Sequence, residues 1–222
     1  MKFVYPDVDI VIDTDVDYVN SIVIENPNIM FAMLQDINEQ IMGNSGISVV
    51  SDNNKILEVS KSVEVITQFI PFEINKKSLI NKFVTKIATY AKSAEYYEKT
   101  MEVMSEIESY LIDLLWELDG NFEYDSIAID SIIKAIGIKF REDYNTLSEK
   151  IIDYIELVTE YERKKLFFLV NLRSYVDDKE IEFLIETALG HNFNIILIDN
   201  CEHRKINNEK RYTIDNDRCI IS

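Results

Sequence analysis

"KKLFFLVN", residues 164–171, and "NIILIDN", residues 194–200, are two short runs in which apolar residues follow one another without alternation. Between them, "DDKEIEFLIETALG" spaces its apolar residues as a helix does, with Asp in the first turn and Gly190 expected at its end. A strand wet on one face alternates apolar and polar residues; these do not. Strand, helix and strand with unbroken apolar runs imply parallel strands buried on both faces. The fold class is α/β.

Upstream, the first third is also rich in strands. "VDIVID" and "SIVIEN" carry β-branched residues, and "GISVVS" and "SVEVITQF" repeat the pattern. Asn26-Pro27 predicts a helix start, with Asn as N-cap and Pro at the first helical position, and the helix runs to Gly43. From Asn75 to Asp119 the period becomes helical. Ile80, Phe83, Val84, Ile87 and Ala91 line one face of the first segment. Met101, Met104, Ile107, Leu111, Leu114 and Leu118 follow at alternating spacings of three and four. That pattern predicts a two-helix seam broken near Ser93. Gly137 closes a further short helix, and "LSEKIIDYIELVTEY" gives another. An α/β head in two parts, 1–72 and 138–222, is therefore interrupted by a helical leg at 73–137.

The 222 residues carry 23 basic and 40 acidic side chains, a net charge of −17, with 47% hydrophobic residues to form a core. Such a charge argues against DNA binding by the surface as a whole. A local basic patch remains open, because charges are screened beyond ~8 Å at physiological salt. No apolar run approaches the roughly 18 residues of a membrane span. Asp within "MKFVYPDVDIVID" argues against a signal peptide. Two cysteines give no disulfide framework, and a reducing cytoplasm is expected.

Residues 74–94, "INKKSLINKFVTKIATYAKSA", hold five lysines and no acidic residue. Lys82 and Lys86 lie one turn apart beside the apolar face. Either they pair with Glu98, Glu102, Glu106 and Glu108 across the predicted seam, or they meet an external polyanion. Composition leaves both open. Asp199, after four apolar residues, resembles a magnesium carboxylate of nucleotide hydrolases. That chemistry also needs a G-x-x-x-x-G-K-[ST] loop, which is absent; "GNSG" at 43–46 has no following Lys. "DTDVD" at 13–17 begins like a calcium loop but has Tyr18 and Ile24 where Gly and Glu are required. Cys201, His203 and Cys219 lack the pair spacing of a zinc site. In "WELDGNFEYD", residues 116–125, Glu117, Asp119, Glu123 and Asp125 flank Gly120. They are either calcium ligands or a solvated acidic loop.

"EYDSI", "IIKAIGIK", "TLSEK", "KKLFFLVN" and "IILID" resemble, in order and spacing, the motifs "EYDEI", "LIK-x-LGVK", "TIFEK", "KKLLIFVN" and "VLFLE" of the Csn-two family. These are accessory proteins of type II-A CRISPR spacer acquisition, and the match covers about residues 117–200. The resemblance implies an α/β head similar to P-loop ATPases without their phosphate motifs, and an inserted helical leg. It implies a homotetrameric ring that binds double-stranded DNA through a lysine-lined hole. It further implies bound calcium, no enzymatic activity, and work beside the integrase proteins and the RNA-guided effector nuclease. Lys134, Lys139, Lys164 and Lys165 match family lysines; Lys76, Lys77, Lys82 and Lys86 fall in the leg. Members read "ELD-x-EYD", whereas Gly120, Asn121 and Phe122 separate those motifs here, a two-residue insertion beside the expected metal ligands. Two rival readings stand beside this one. One is a degenerate nucleotide-binding hydrolase using Asp199 and the acidic loop with a divalent metal. The other is an acidic structural adaptor with an internally paired leg.

Overall fold

Ten strands and seven helices are arranged in two units in the computed structural model, which describes residues 1–14 and 17–221. One unit comprises Met1–Ile74 and Glu142–Ser222, the other Asn75–Arg141. The division falls at 74/75 and 141/142, a little beyond the 72/73 and 137/138 read from the sequence. Gly137 does end a helix, at φ +67°, but Ile138 and Phe140 still pack within the inserted unit.

The head contains two sheets. β1 (Lys2–Tyr5), β2 (Ile10–Asp13), β4 (Val49–Asp52) and β5 (Lys55–Ile56) form an antiparallel sheet in the order β2-β1-β4-β5. The larger sheet has the order β10-β9-β3-β8-β7-β6. Its strands are β3 (Val19–Ile24), β6 (Val63–Ile66), β7 (Leu166–Val170), β8 (Asn194–Asp199), β9 (Glu209–Ile214) and β10 (Ile220–Ile221). All of its pairings are parallel except that of β10. The two quoted apolar runs, β7 and β8, are adjacent parallel strands, and all five residues of β7 are buried.

Each face of this sheet is covered. On one side Ile22, Ile24, Phe168, Ile196 and Ile198 meet Ile29, Met33 and Ile37 of α1 (Pro27–Ile41) and Phe3, Ile10 and Ile12 of the small sheet. Phe3 and Phe168 pack edge to face at 4.9 Å. Beyond α1, the head's helices are α2 (Val59–Ser62), α6 (Leu147–Glu162) and α7 (Asp178–His191). α6 and α7 pack together and bury Ile151, Ile155, Leu184 and Ile185.

The helix starts follow local chemistry. Asn26 accepts from Asn28 N–H and Ile29 N–H, Thr146 and Glu149 form a capping box, and Asp177 caps α7. Each cap contributes about 1 kcal/mol. The end of α7 departs from expectation: Gly190 stays helical, and Asn192 at φ 57° takes the left-handed position. Asn tolerates that conformation.

The inserted unit holds α3 (Lys77–Ala91), α4 (Tyr97–Trp116) and α5 (Ile129–Ala135). The predicted break near Ser93 falls between α3 and α4. The predicted seam between these helices is corrected: α3 packs chiefly on α5. Val84, Ala88 and Ile133 form the buried centre, with Ile80, Ile87, Ile129 and Ile138 around it. Helical spacing reveals an apolar face but not which neighbour covers it.

Candidate nucleic-acid interface

α3 brings Lys77, Lys82 and Lys86 onto one helix, with Lys76 as its N-cap and Lys92 as its C-cap. Because Leu79, Val84 and Ala88 face the core of the unit, Lys77 and Lys82 stand exposed while Lys86 is half-buried. Lys92 pairs with Asp130 of α5 at 2.5 Å, and Lys99 pairs with Glu102 one turn along α4. The pairings across a seam expected from Glu102 and Glu108 take other forms: Glu102 holds Lys99, and Glu108 accepts from Ile127 N–H at 2.9 Å. Lys134 and Lys139 are exposed on the same unit.

The Lys164-Lys165 pair belongs to the head and separates into two roles. Lys164 is only 8% exposed, and its ammonium donates to the carbonyls of Ser60 at 2.6 Å and Val63 at 2.8 Å. It holds α2 and the start of β6, so its place as a phosphate contact is corrected. Period-2 alternation at the edge of β7 turns it inward while Lys165 points out. Lys165 pairs with Asp52 at 2.9 Å, which holds that carboxyl below its ordinary range.

Glu117, Asp119, Glu123 and Asp125 are all exposed along the chain that leaves α4. Among the described residues no three His, Cys, Asp or Glu side chains converge as ligands for one ion. Gly120 lies under the ring of Phe122, where a Cβ would approach to 2.6 Å. The Phe122 ring thus lies against the backbone between the two acidic pairs. Beside it, Leu111, Leu114, Leu115, Leu118, Tyr124 and Ile127 line an apolar groove of about 260 Å³.

Asp199, the carboxylate of the hydrolase reading, is 3% exposed. The strand register places Asp199 beside Val23, Arg211 beside Ser21, and Glu209 beside Val19, all on one face of the sheet. Arg173, just past β7, reaches across them. Its Nε lies 3.5 Å from Asp199 Oδ2, its Nη2 lies 2.8 Å from Glu209 Oε2, and Nη1 donates to the Arg204 carbonyl at 2.9 Å. Glu209 also accepts from Ser21 Oγ at 2.5 Å, Ile206 N–H at 2.9 Å and Arg211 at 3.1 Å. Burial pushes the Asp199 carboxyl up, and Arg173 only partly offsets it. Burial acts on Glu209 in the same direction, but its donors outweigh it and the carboxyl lies below its ordinary value. The Arg173 guanidinium is thus the positive charge set against both carboxylates. The cluster ties residues 200–208 to the sheet.

Arg173, Ser21 and Glu209 escaped the sequence reading because each is an ordinary residue until β3 lies between β8 and β9. Cys201 Sγ and His203 Nε2 are 3.5 Å apart, and the same Nε2 is 4.0 Å from Asp199 Oδ1. A relay needs the two different ring nitrogens, and here one nitrogen faces both partners. "GNSG" is no phosphate cradle. Asp36 accepts from the Ile47 and Ser48 N–H groups that follow it and so closes the turn. Asp15 and Val16, in the middle of "DTDVD", lie outside the described residues. No helix among the described residues is long and apolar enough to cross a membrane.

Residues 40–218 match the family model described as CRISPR-associated protein (Cas_Csn2). The chain is 22% identical over 186 residues to a CRISPR-associated protein Csn2 of Enterococcus faecalis, covering 83% of each. It is 21% identical over 176 residues to a CRISPR-associated protein Csn2 of Streptococcus agalactiae, covering 79% of this chain and 78% of the relative.

Proposed function

The chain belongs to the CRISPR-associated Csn2 family, and from that premise we propose that it grips double-stranded DNA through the lysines of its inserted unit, as a homotetrameric ring serving spacer acquisition. The observation that carries this reading is the separation of charge. The inserted unit carries 9 basic and 11 acidic side chains, while the head carries 14 and 29. Within the insertion the basic groups concentrate on α3, whose apolar face is already covered. Clustered cations on a solvated helix are suited to a phosphate backbone and read no sequence. The candidate contacts are Lys76, Lys77, Lys82, Lys86, Lys134 and Lys139, with Lys165 on the head.

The exposed stripe of α4 supports the homotetramer. Met101, Leu111 and Leu114 are each at least 43% exposed, Trp116 is 82% exposed, and the exposed Leu118 follows just beyond the helix. Contiguous apolar surface of this kind marks an association site, and a second copy of the chain is the proposed cover. Calcium at Glu117, Asp119, Glu123 and Asp125 would lower the mutual repulsion of an acidic segment beside that stripe. In the complex the ring works with the CRISPR integrase proteins and the RNA-guided effector nuclease.

The proposed activity is binding without catalysis. The head is taken as a P-loop-ATPase-like core that has lost its phosphate loop. Only Glu25 and Asn26 join β3 to α1, too short a connection to wrap a phosphate, and Arg173 occupies Asp199. The hydrolase reading has no comparable support.

Threading tests the ring. At one fixed salt concentration, the tetramer should retain linear duplex and bind covalently closed circles of the same sequence much more weakly. Blocking both ends of the linear duplex with bulky protein should prevent loading. Equal affinity for open, blocked and circular DNA would replace the ring with a surface groove.

A further inference from the structure

One side chain ties together the two ends of the insertion. Asn75 Nδ2 donates to the Phe140 carbonyl at 3.0 Å, and Phe140 N–H donates to Asn75 Oδ1 at 2.8 Å. Both ends of the amide are thus used on one residue 65 positions away. Phe140 is held from another side by Phe83, with ring centroids 5.0 Å apart.

The clasp has an electrostatic consequence. Lys76 and Lys77 directly follow Asn75, and Lys139 and Arg141 flank Phe140. Four cations distant in sequence are gathered on neighbouring backbone, and all four are exposed. Exposed cations on neighbouring backbone can meet successive phosphates of one polyanion.

We infer that this root cluster is a phosphate grip within the proposed DNA interface, with Arg141 as a further contact and Asn75 as the positioning residue that assembles it. The inference rests on the DNA reading above and adds to it where the grip lies and what builds it. Arg141 suits the role because its planar fork can give two parallel hydrogen bonds to one phosphate, which a lysine cannot. Asn75 suits positioning because only a side-chain amide can donate to and accept from the same residue across this gap.

The test is a salt titration of full-length protein on a short blunt duplex, comparing the parent with Lys139→Gln/Arg141→Gln and with Asn75→Ala. Neutralising two cations should flatten the slope of log K against log salt by about 0.9 for each phosphate released. Asn75→Ala removes no charge. If it positions the grip, the folded variant should still show a shallower slope and weaker binding. If its role is only structural, its melting temperature falls while the slope of the folded fraction stays at the parent value. Should Asn75→Ala fail to fold, the double neutralisation decides alone. A parental slope in Lys139→Gln/Arg141→Gln would overturn the grip and leave DNA binding to Lys82 and Lys86. A parent that binds no duplex at any salt concentration would overturn the DNA reading, and the grip with it.

Discussion

α3 and α4 lie in the same inserted unit, and both carry an apolar stripe, yet they complete it differently. α3 buries Leu79, Val84 and Ala88, with α5 as its chief partner, and leaves lysines outward. In α4, only Met104 is buried, and Met101, Leu111, Leu114 and Trp116 are exposed. Charge divides in the same way. Residues 74–94 hold five lysines and no acid, whereas residues 95–125 hold ten acidic side chains and Lys99 alone. A helix whose apolar face is satisfied within its own chain can give its charges to a ligand. A helix whose apolar face is unsatisfied invites another surface. Amphipathicity is thus the same signal in both helices, and the neighbour decides what it means.

The largest expected effect comes from breaking α4. Leu111→Glu with Leu114→Glu should convert the proposed homotetramer to smaller species in sedimentation velocity while circular dichroism of the chain is retained. Ala88→Glu on α3 should instead unfold the insertion, because it places a charge in a buried cluster without a partner. If both variants behave alike, the contrast between the helices disappears. A tetramer that survives both leucine substitutions would place the interface elsewhere.

Charge reversal sharpens the comparison at a middle scale. Lys77→Glu with Lys82→Glu should weaken duplex binding and flatten its salt dependence by about 0.9 for each phosphate released, with little change in melting temperature. Lys164→Met should do the reverse. It strands the Ser60 and Val63 carbonyls at a cost of about 1–3 kcal/mol in stability and leaves the salt slope unchanged. Exchanged outcomes would show that exposure does not separate binding lysines from structural ones here.

The smallest expected effect concerns pH, in the head rather than the insertion. Burial works to raise the Glu209 carboxyl, but hydrogen bonds from Ile206 N–H, Ser21 and Arg173 hold it below its ordinary 4.5. A depressed folded value stabilises the protein above the unfolded value, and that stabilisation is lost as pH falls through the folded one. Asp199, raised by burial, acts in the opposite sense and gains relative stability when protonated. Urea midpoints followed from roughly pH 5 down to pH 3 should therefore fall more steeply in the parent than in Glu209→Gln. Parallel profiles would mean that acid sensitivity resides in other carboxylates.

Much of this was legible in the residues. Unbroken apolar runs at 166–170 and 195–198 imposed strands buried on both faces, because none of their side chains favours a wet face. Asn26-Pro27 began α1 through a cap that needs only local backbone. The inserted leg was visible as a change of period, and the family was visible in motifs spread over about residues 117–200. These features depend on residues a few positions apart, within reach of local sterics and side-chain spacing.

Other features needed residues far apart in sequence. The choice of α5 over α4 as the main partner of α3 depended on which apolar face closes first around Val84 and Ala88. The inward turn of Lys164 depended on carbonyls about a hundred residues away. Arg173 became the counter-ion of Asp199 and Glu209 only once β7, β8, β3 and β9 stood side by side. Sequence by itself determined the elements, their amphipathic faces and the charge each carries, since those are properties of neighbouring residues. Only the tertiary structure decided which faces are covered and which charges are neutralised, because burial and pairing depend on atoms the chain brings together from a distance.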